Sequence, residues 1–259
     1  MDSTIINSVD VVTKAIVGIL AENAPSVYLY GSVTLDDFRP GWSDIDILVL
    51  TQTQLTPQQA DRLLRLRQEL TEREPDNPCF RLFEGGMLRL SAFLTDAEDT
   101  VVYWGTSGEQ ITNRYTFDSF CQKELLENGV LLYGEDVRGS MRRPTYEDLR
   151  ADVRRHYETI RTYGGKTGGS LHSFGWLLDI SRCIYTLRTG QIIAKTKAGE
   201  WALKNGLCPD PAALEAALRV RNAPELFHKD AALQAYAAHL GTAIRQYADV
   251  LEREYHQQL

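Results

Sequence analysis

Several features that mark whole classes of protein are missing from this chain of 259 residues. It has only four cysteines, and none shows the Cys-x-x-Cys spacing of a zinc site or a redox motif. Basic charge is in short supply, and the net charge of −7 argues against a general nucleic-acid binder, which must neutralise phosphates. No internal repeat is visible, so the sequence favours an ordinary globular protein that needs no disulfide or metal for its stability.

Long hydrophobic runs are also scarce. The apolar run Gly175–Leu178 is interrupted by Asp179 and Arg182, whereas a membrane-spanning helix needs about 20 apolar residues. The first residues, Met1–Thr4, lack the basic and apolar regions of a signal peptide. We therefore expect no membrane partner and a cytoplasmic location, and the free cysteines fit a reduced compartment.

A turn of small residues follows the first clear strand of the sequence. The apolar run Val27–Tyr30 indicates a buried strand, and Gly31 and Ser32 come directly after it. Glycine adopts turn conformations at no steric cost, and the N–H groups and hydroxyl of such a turn can donate to phosphate oxygens. Gly31 and Ser32 are therefore candidate nucleotide-binding residues.

Two aspartates open the next strand, after a connector of ten residues. They are Asp44 and Asp46, which precede the apolar run Ile47–Leu50. Side chains alternate along a strand, so both carboxylates point to the same side. Two neighbouring carboxylates repel each other unless a divalent cation lies between them, and Mg²⁺ prefers oxygen ligands. Asp44 and Asp46 are therefore candidate metal ligands and catalytic residues, and Ser43 is a candidate contact for the triphosphate.

The periodicity divides the chain into two parts. Strands and helices are mixed in the first part, and helix follows helix in the second. We predict an α+β fold, in which residues 1–140 form a small mixed sheet with helices and residues 141–259 form an all-helical domain. Residues 81–93 are predicted to form two strands, in a hairpin around Gly85 and Gly86.

The order Gly-Ser, connector, Ser-Asp-Ile-Asp and apolar strand resembles the signature of the DNA-polymerase-β-like nucleotidyltransferases. Within that superfamily, the chain resembles the adenylyltransferases that act on streptomycin and spectinomycin. The second block of resemblance runs from Arg182 to Gly190 and continues to Lys195 and Trp201. The resemblance implies a Mg²⁺-dependent transfer of AMP from ATP to a hydroxyl of a small, cationic, aminoglycoside-like acceptor. It also implies that Arg182 and Lys195 reach the ATP phosphates from the helical domain.

The acceptor half of the site matches this family less well. The family uses a glutamate as general base on the acceptor hydroxyl. One alignment places Glu84 there, and another places Arg89, whose guanidinium stays protonated and cannot act as a base. The family also holds the cationic drug with acidic residues, whereas residues 170–174 contain His172 and no carboxylate. Trp104 is a candidate for stacking on an acceptor ring, and a buried anchor is the alternative.

Three hypotheses for function follow from the sequence. The favoured one is adenylyl transfer, with an acidic site and no nucleic-acid partner. A third acid, the glutamate that the family uses as general base, completes the site beside the two aspartates. If this acid is missing, the chain is instead a nucleotide-binding relative with little or no transferase activity. The third is one partner of a toxin–antitoxin pair, because Arg150 with His156 and Arg221 with His228 fit the loose Arg-x₄₋₆-His pattern of some helical ribonucleases. Such matches are frequent by chance in a chain with many arginines.

Two further aspartates, Asp36 and Asp37, lie in the connector between Ser32 and Ser43. Aspartate favours turns because its side chain bonds to nearby backbone groups. We therefore predict that both are solvated turn residues without a role at the site.

Overall fold

A computed structural model describes residues 3–105 and 108–257 of the chain. Its strands are β1 (Ser26–Tyr30), β2 (Ile45–Thr51), β3 (Phe83–Arg89), β4 (Val101–Gly105), β5 (Gly108–Thr112) and β6 (Val130–Tyr133). Its α-helices are α1 (Ser3–Leu20), α2 (Pro57–Arg73), α3 (Leu90–Thr95), α4 (Ser119–Asn128), α5 (Tyr146–Thr159), α6 (Gly175–Thr189), α7 (Lys195–Lys204), α8 (Pro211–Asn222), α9 (Pro224–Lys229), α10 (Ala231–His239) and α11 (Gly241–Gln257). The predicted class, a mixed sheet with helices followed by a helical region, is confirmed.

The chain forms two compact units, which we call the sheet unit and the helical unit. The sheet unit contains the chain up to Asp36 together with Asp44–Arg143. The helical unit contains the chain from Pro144 onward and also the short segment Asp37–Ser43. This segment, which we call the connector segment, departs from the continuous division at residue 140 that the sequence suggested.

The sheet unit is built on one mixed sheet with the strand order β5-β4-β3-β2-β1-β6. Strands β2 and β3 are parallel, and the other neighbouring pairs are antiparallel. A parallel pair needs a crossover connection, and α2 supplies it. That helix begins sharply because Pro57 occupies its first turn and Thr56 forms a capping box with Gln59.

The predicted hairpin around Gly85 and Gly86 is wrong, because both glycines lie inside the continuous strand β3. Gly85 has φ = 143°, and a Cβ there would collide with the carbonyl oxygen of Ile47 on β2. A Cβ on Gly86 would come within 2.7 Å of the Tyr115 ring. The two glycines therefore let neighbouring groups approach the strand closely, which is the other use of glycine in a sheet.

Both faces of the sheet are buried along most of β2. Ile45, Ile47 and Val49 face one side, and Leu48 and Leu50 face the other, each at most 1% exposed. The second side continues into a cluster with residues of β1, β3 and α4: Tyr28, Tyr30, Leu88 and Leu125. Asp46 belongs to this second side by alternation, at the end where β2 begins. The carboxylate therefore lies at the margin of an apolar core.

Helix α1 is long and apolar enough to cross a membrane by length and composition alone, because an 18-residue window within residues 3–23 has a mean hydropathy of 1.6. One side of this helix is buried in the sheet unit, and it carries Ile5, Val9, Val12, Ile16 and Leu20. Core helices of globular proteins also pass this test, and the burial of one face is what such a helix shows.

The helical unit is held together by apolar packing and by buried polar contacts. Helices α6 and α11 are joined by Ser181 and Tyr247, whose hydroxyls lie 3.0 Å apart. The same two helices are joined by Arg188, whose Nε donates to Glu254 at 2.8 Å. Helix α7 packs on α6 through a buried face that includes Ala198 and Ala202. This packing fixes the beginning of α7 next to the middle of α6.

Candidate functional site

Asp46 and Glu84 lie side by side on the two parallel strands of the sheet. The register pairs Asp46 of β2 directly with Glu84 of β3. Directly paired residues point to the same face, with their Cβ atoms about 5 Å apart. Asp44 lies two residues ahead of Asp46, immediately before β2. We call this group of Asp44, Asp46 and Glu84 the acid face, and all three residues are partly exposed.

One tyrosine, Tyr103, is affected by the charges of all three carboxylates. Tyr103 of β4 pairs with Gly86 of β3, so it shares a face with Glu84 two residues away. Its ring packs over Gly105, toward the end of β3 that carries Glu84. Burial raises the pKa of Tyr103, and the negative charges of Glu84, Asp44 and Asp46 raise this pKa further. The phenol is therefore within electrostatic reach of the whole acid face.

The register also distinguishes Glu84 from Arg89. Arg89 ends β3 and pairs with Thr51, and its backbone N–H donates to Asp99 at 2.8 Å. Five residues of strand separate it from Glu84, which corresponds to about 17 Å. The odd spacing also turns the Arg89 side chain to the opposite face. The acidic neighbour of Asp46 on β3 is therefore Glu84.

The turn after β1 packs against Asp46. Gly31 has φ = 72°, and a Cβ at this position would collide with Oδ2 of Asp46. A glycine is therefore required on two counts, its backbone conformation and the approach of the carboxylate. The next residue, Ser32, donates through its hydroxyl to the backbone carbonyl of Asp44 at 3.2 Å. Gly31 and Ser32 thus line the acid face from the β1 side.

Trp104 does not lie on this face. It pairs with Gly85, one residue from Tyr103, so its ring points to the opposite side of the sheet. There it is 0% exposed, and its indole N–H donates to the Leu63 carbonyl of α2 at 3.0 Å. The structure contradicts the prediction that Trp104 stacks on an acceptor, because a ring enclosed in the core cannot reach a ligand. Tyr103 is a partly exposed aromatic residue on the face that carries the acids.

The acid face fits a magnesium ion that is shared with a nucleotide. No group of three His, Cys, Asp or Glu side chains within residues 3–105 and 108–257 is close enough to form a complete metal site. Mg²⁺ in nucleotide enzymes is usually held by one or two carboxylates together with substrate phosphates and water. Asp44 and Asp46 match that donor set, since both offer carboxylate oxygens at the same end of one strand.

In the helical unit, Arg182 and Lys195 converge on Asp179. The Lys195 ammonium lies 2.8 Å from the Asp179 carboxylate. Burial raises the pKa of Asp179, but the positive charges of Lys195, Arg182 and His156 outweigh this effect, and the pKa lies below its ordinary value. Three basic side chains from α5, α6 and α7 therefore surround one carboxylate. The sequence predicted Arg182 and Lys195, but it did not predict their acidic partner.

Ser43 closes the connector segment. It is 6% exposed, and its hydroxyl oxygen accepts a hydrogen bond from the Arg39 backbone N–H at 3.0 Å. Its own N–H donates to the Arg39 carbonyl at 2.9 Å. The hydroxyl proton is still able to donate to a phosphate oxygen, because a hydroxyl carries one donor and two acceptor sites.

The loose Arg-x₄₋₆-His pattern has no support from the second of its two pairs. Arg221 is 2% exposed and lies in a buried ion pair with Asp37, whereas His228 is exposed. A catalytic pair must present both side chains to the same ligand. His172 contacts Trp42 edge-on at 6.2 Å between ring centroids.

Comparison with known proteins gives a consistent family assignment. A protein-family model, that of the nucleotidyltransferase domain, matches residues 14–84. A second family model, that of the aminoglycoside adenylyltransferase C-terminal domain, matches residues 147–249. A search of curated proteins finds no match.

A solved structure shares the fold of this chain. It is the spectinomycin adenyltransferase AAD(9) from Enterococcus faecialis, determined with ATP and spectinomycin. The TM-score is 0.65 at 17% sequence identity, over 95% of this chain and 98% of that chain. This likeness shows the fold, and the two domain models show the family. The chain is therefore a nucleotidyltransferase of the aminoglycoside adenylyltransferase type.

Proposed function

We propose that this enzyme moves AMP from ATP to a hydroxyl of a small cationic acceptor of the streptomycin and spectinomycin type, with Mg²⁺ as cofactor. The observation that carries the proposal is the acid face, where Glu84 stands beside Asp46 and Asp44. The similar fold of AAD(9), which was solved with ATP and spectinomycin, supports this choice of nucleotide and acceptor. We also propose a cytoplasmic location, where ATP is available.

The chemistry requires a base, a leaving group and stabilisation of the transferred phosphoryl group. The acceptor oxygen forms a bond to the α-phosphorus, the bond between the α-phosphorus and the bridging oxygen breaks, and pyrophosphate leaves. In this proposal Glu84 takes the proton of the acceptor hydroxyl as the bond forms. Asp44 and Asp46 would hold Mg²⁺, which when bound acts as a Lewis acid on the phosphate oxygens.

The remaining residues of the site would hold the triphosphate. Ser32 and Ser43 offer hydroxyl donors, and Lys195 and Arg182 offer positive charge. Because Lys195 is paired with Asp179 at 2.8 Å, the β- and γ-phosphates would take over this ammonium from the carboxylate or share it. The cost of separating that ion pair reduces the net gain from the lysine.

On the acceptor side, the negative charge of the acid face suits a cationic molecule. Tyr103 is a partly exposed aromatic side chain on this face, and we propose that it contacts the acceptor. A nucleotide-binding relative without activity is the weaker alternative, because the reason for it was a missing third acid. The pairing of Glu84 with Asp46 in the register of β2 and β3 supports the active enzyme over this alternative.

Replacing Lys195 with alanine is expected to weaken ATP binding much more than AMP binding. A charge-assisted contact to a phosphate contributes about 1.5–3 kcal/mol, or roughly 10- to 150-fold in affinity. The lower end is expected here, because in the wild type the cost of separating Lys195 from Asp179 reduces the net contribution of the lysine. Calorimetric titration with ATP and with AMP, both in Mg²⁺, measures the two affinities.

Lys197→Ala is the matched control for this substitution. Lys197 lies on the same helix two residues further along, and it is exposed. The control should leave both affinities unchanged. If Lys195→Ala lowers the affinities for ATP and AMP by the same factor, Lys195 is not a ligand of the β- or γ-phosphate.

The acceptor is identified by a screen with ATP and Mg²⁺ against streptomycin, spectinomycin and related aminocyclitols. We expect a product heavier than one acceptor by one AMP unit, formed together with an equal amount of pyrophosphate. Mass spectrometry reads the first quantity, and a coupled phosphate assay reads the second. ATP binding without pyrophosphate release for any acceptor would favour the inactive relative instead.

A further inference from the structure

Within the helical unit, a buried polar network holds the connector segment against helices α7 and α8. The Arg221 Nη2 group of α8 donates to the Asp37 carboxylate at 2.7 Å and to the Asp37 carbonyl at 3.1 Å. Arg221 Nε donates to the Thr196 hydroxyl at 3.1 Å, and the Thr196 backbone N–H donates to Asp37 at 3.3 Å. These three residues, which we call the Arg221 triad, are between 2% and 6% exposed. The prediction that Asp37 is a solvated turn residue is therefore wrong.

The Arg221 triad lies between two of the predicted phosphate contacts of the helical unit, Lys195 and Ser43. On one side, Thr196 directly follows Lys195 at the beginning of α7. On the other side, Arg39 lies 3.5 Å from Asp37, and its backbone N–H donates to the Ser43 hydroxyl. A continuous series of contacts therefore runs from Lys195 through the Arg221 triad to Ser43.

The charge state of the network is well defined. Burial raises the pKa of Asp37, but the positive charge of Arg221 and the hydrogen bonds from Thr196 outweigh burial, so the pKa lies below its ordinary value. The Arg221 guanidinium also lies over the Trp42 ring of the connector segment, 5.6 Å from its centroid. The guanidinium donates here from two nitrogens, Nε and Nη2, to different residues, which the single ammonium of a lysine cannot reproduce.

We infer that Arg221 is a positioning residue, which holds Ser43 and Lys195 at a fixed separation so that both can bind one triphosphate. This inference rests on the proposed function of those two residues. Its physical basis is that Arg221 bonds at once to the segment that ends in Ser43 and to the residue that follows Lys195. Without the guanidinium, the connector segment and the beginning of α7 would each keep their local structure. The distance between Ser43 and Lys195 would no longer be fixed.

The test is Arg221→Gln, with Arg221→Lys and Asp37→Asn as milder variants in case the first does not fold. We expect ATP affinity to fall by about tenfold, the value of one charge-assisted phosphate contact, while AMP affinity changes by less than about threefold. Arg221→Lys should fall between the wild type and Arg221→Gln, because it keeps the charge but not the second donor nitrogen. All titrations are made below the melting temperature of each variant.

Arg188→Gln is the matched control, since it removes an arginine from another partly buried ion pair of the helical unit, the one with Glu254. It should lower thermal stability and leave the ratio of ATP to AMP affinity unchanged. If the Arg221 and Asp37 variants behave like this control, the triad has only a structural role and the inference fails. Equal losses for ATP and AMP would overturn it too.

Lys195→Ala is measured in parallel to separate this inference from the proposed function. If Lys195→Ala changes the ratio of ATP to AMP affinity and the triad variants do not, the inference alone is wrong. If neither changes the ratio, the phosphate role of Lys195 and the inference fail together. A selective loss of ATP affinity in the triad variants and in Lys195→Ala supports the inference. A selective loss in the triad variants alone would contradict it, because Lys195 would then not bind the triphosphate.

Discussion

Replacing Asp46 with asparagine is expected to abolish adenylyl transfer while the protein stays folded. The substitution keeps the shape of the side chain beside Gly31 and Glu84 but removes one of the two charges proposed to bind the metal. The Lewis acidity of a bound metal contributes several kcal/mol, so turnover should fall by at least about 1,000-fold. Single-turnover assays with the acceptor found in the screen measure the loss, and circular dichroism checks the fold.

Asp36→Asn is the matched control for Asp46→Asn. Asp36 is an exposed aspartate with φ = 56°, a conformation that asparagine also tolerates. The control should retain full activity. Calorimetry adds a second criterion, because ATP should bind wild-type protein more tightly with Mg²⁺ than with EDTA. An Asp46→Asn protein with the same Mg²⁺ dependence as the wild type would remove Asp46 from the metal site.

Replacing Glu84 with glutamine is expected to slow the chemical step about 10²–10⁴-fold, because the acceptor hydroxyl loses its general base. ATP affinity should change little, since Glu84 is placed as a base and Asp44 and Asp46 as the metal ligands. Rapid-quench kinetics separate the chemical step from binding. The neutral amide keeps the size of the side chain beside Asp46, so a large loss reports on its charge and proton transfer.

Arg89→Gln is the comparison for Glu84→Gln, because the sequence alone allows either Glu84 or Arg89 at the position of the general base. Arg89 ends the same strand opposite Thr51, away from the acid face, so its replacement should leave turnover unchanged. The opposite result, with Glu84→Gln silent and Arg89→Gln slow, would mean that the register of β3 in solution differs from the one described here. If the wild type is active and Glu84→Gln does not change the rate of the chemical step, another residue is the general base.

Local pattern was sufficient to predict the strand-opening aspartates. Gly31, Asp44 and Asp46 lie within sixteen residues of one another, and alternation along a strand places the two aspartates on one face. The position of Glu84 was not determined by the sequence in this way. It depends on the parallel pairing of β2 with β3 across the α2 crossover, and Gly85-Gly86 resembled a turn. A turn and a close approach of neighbouring groups both require glycine, so residue type alone cannot distinguish them.

The aromatic residue of the acid face shows how a single residue changes the outcome. Tyr103 and Trp104 are adjacent in sequence, and each is compatible with a role in stacking. A strand turns successive side chains to opposite faces, so one of them had to be buried. Which one depends on the pairing of β4 with β3, and this pairing is a property of the whole sheet.

The buried state of Asp37 is a long-range effect. Its partner Arg221 is 184 residues away in the sequence, and the local pattern Leu35-Asp36-Asp37-Phe38 is typical of a solvated turn. Similarly, Lys195 was predicted to be a phosphate ligand, but its pairing with Asp179 depends on the packing of α6 against α7. Charge partners of this kind become visible only when the tertiary structure is known.

The central claim is that the enzyme transfers a nucleotidyl group, and two radioactive forms of ATP test it directly. One carries the label on the α-phosphorus and the other on the γ-phosphorus, and each is incubated with Mg²⁺, the enzyme and either streptomycin or spectinomycin. The proposed chemistry predicts that the α-label appears on the acceptor and the γ-label in pyrophosphate. A γ-label on the acceptor, or no labelled acceptor from either form of ATP, would contradict it.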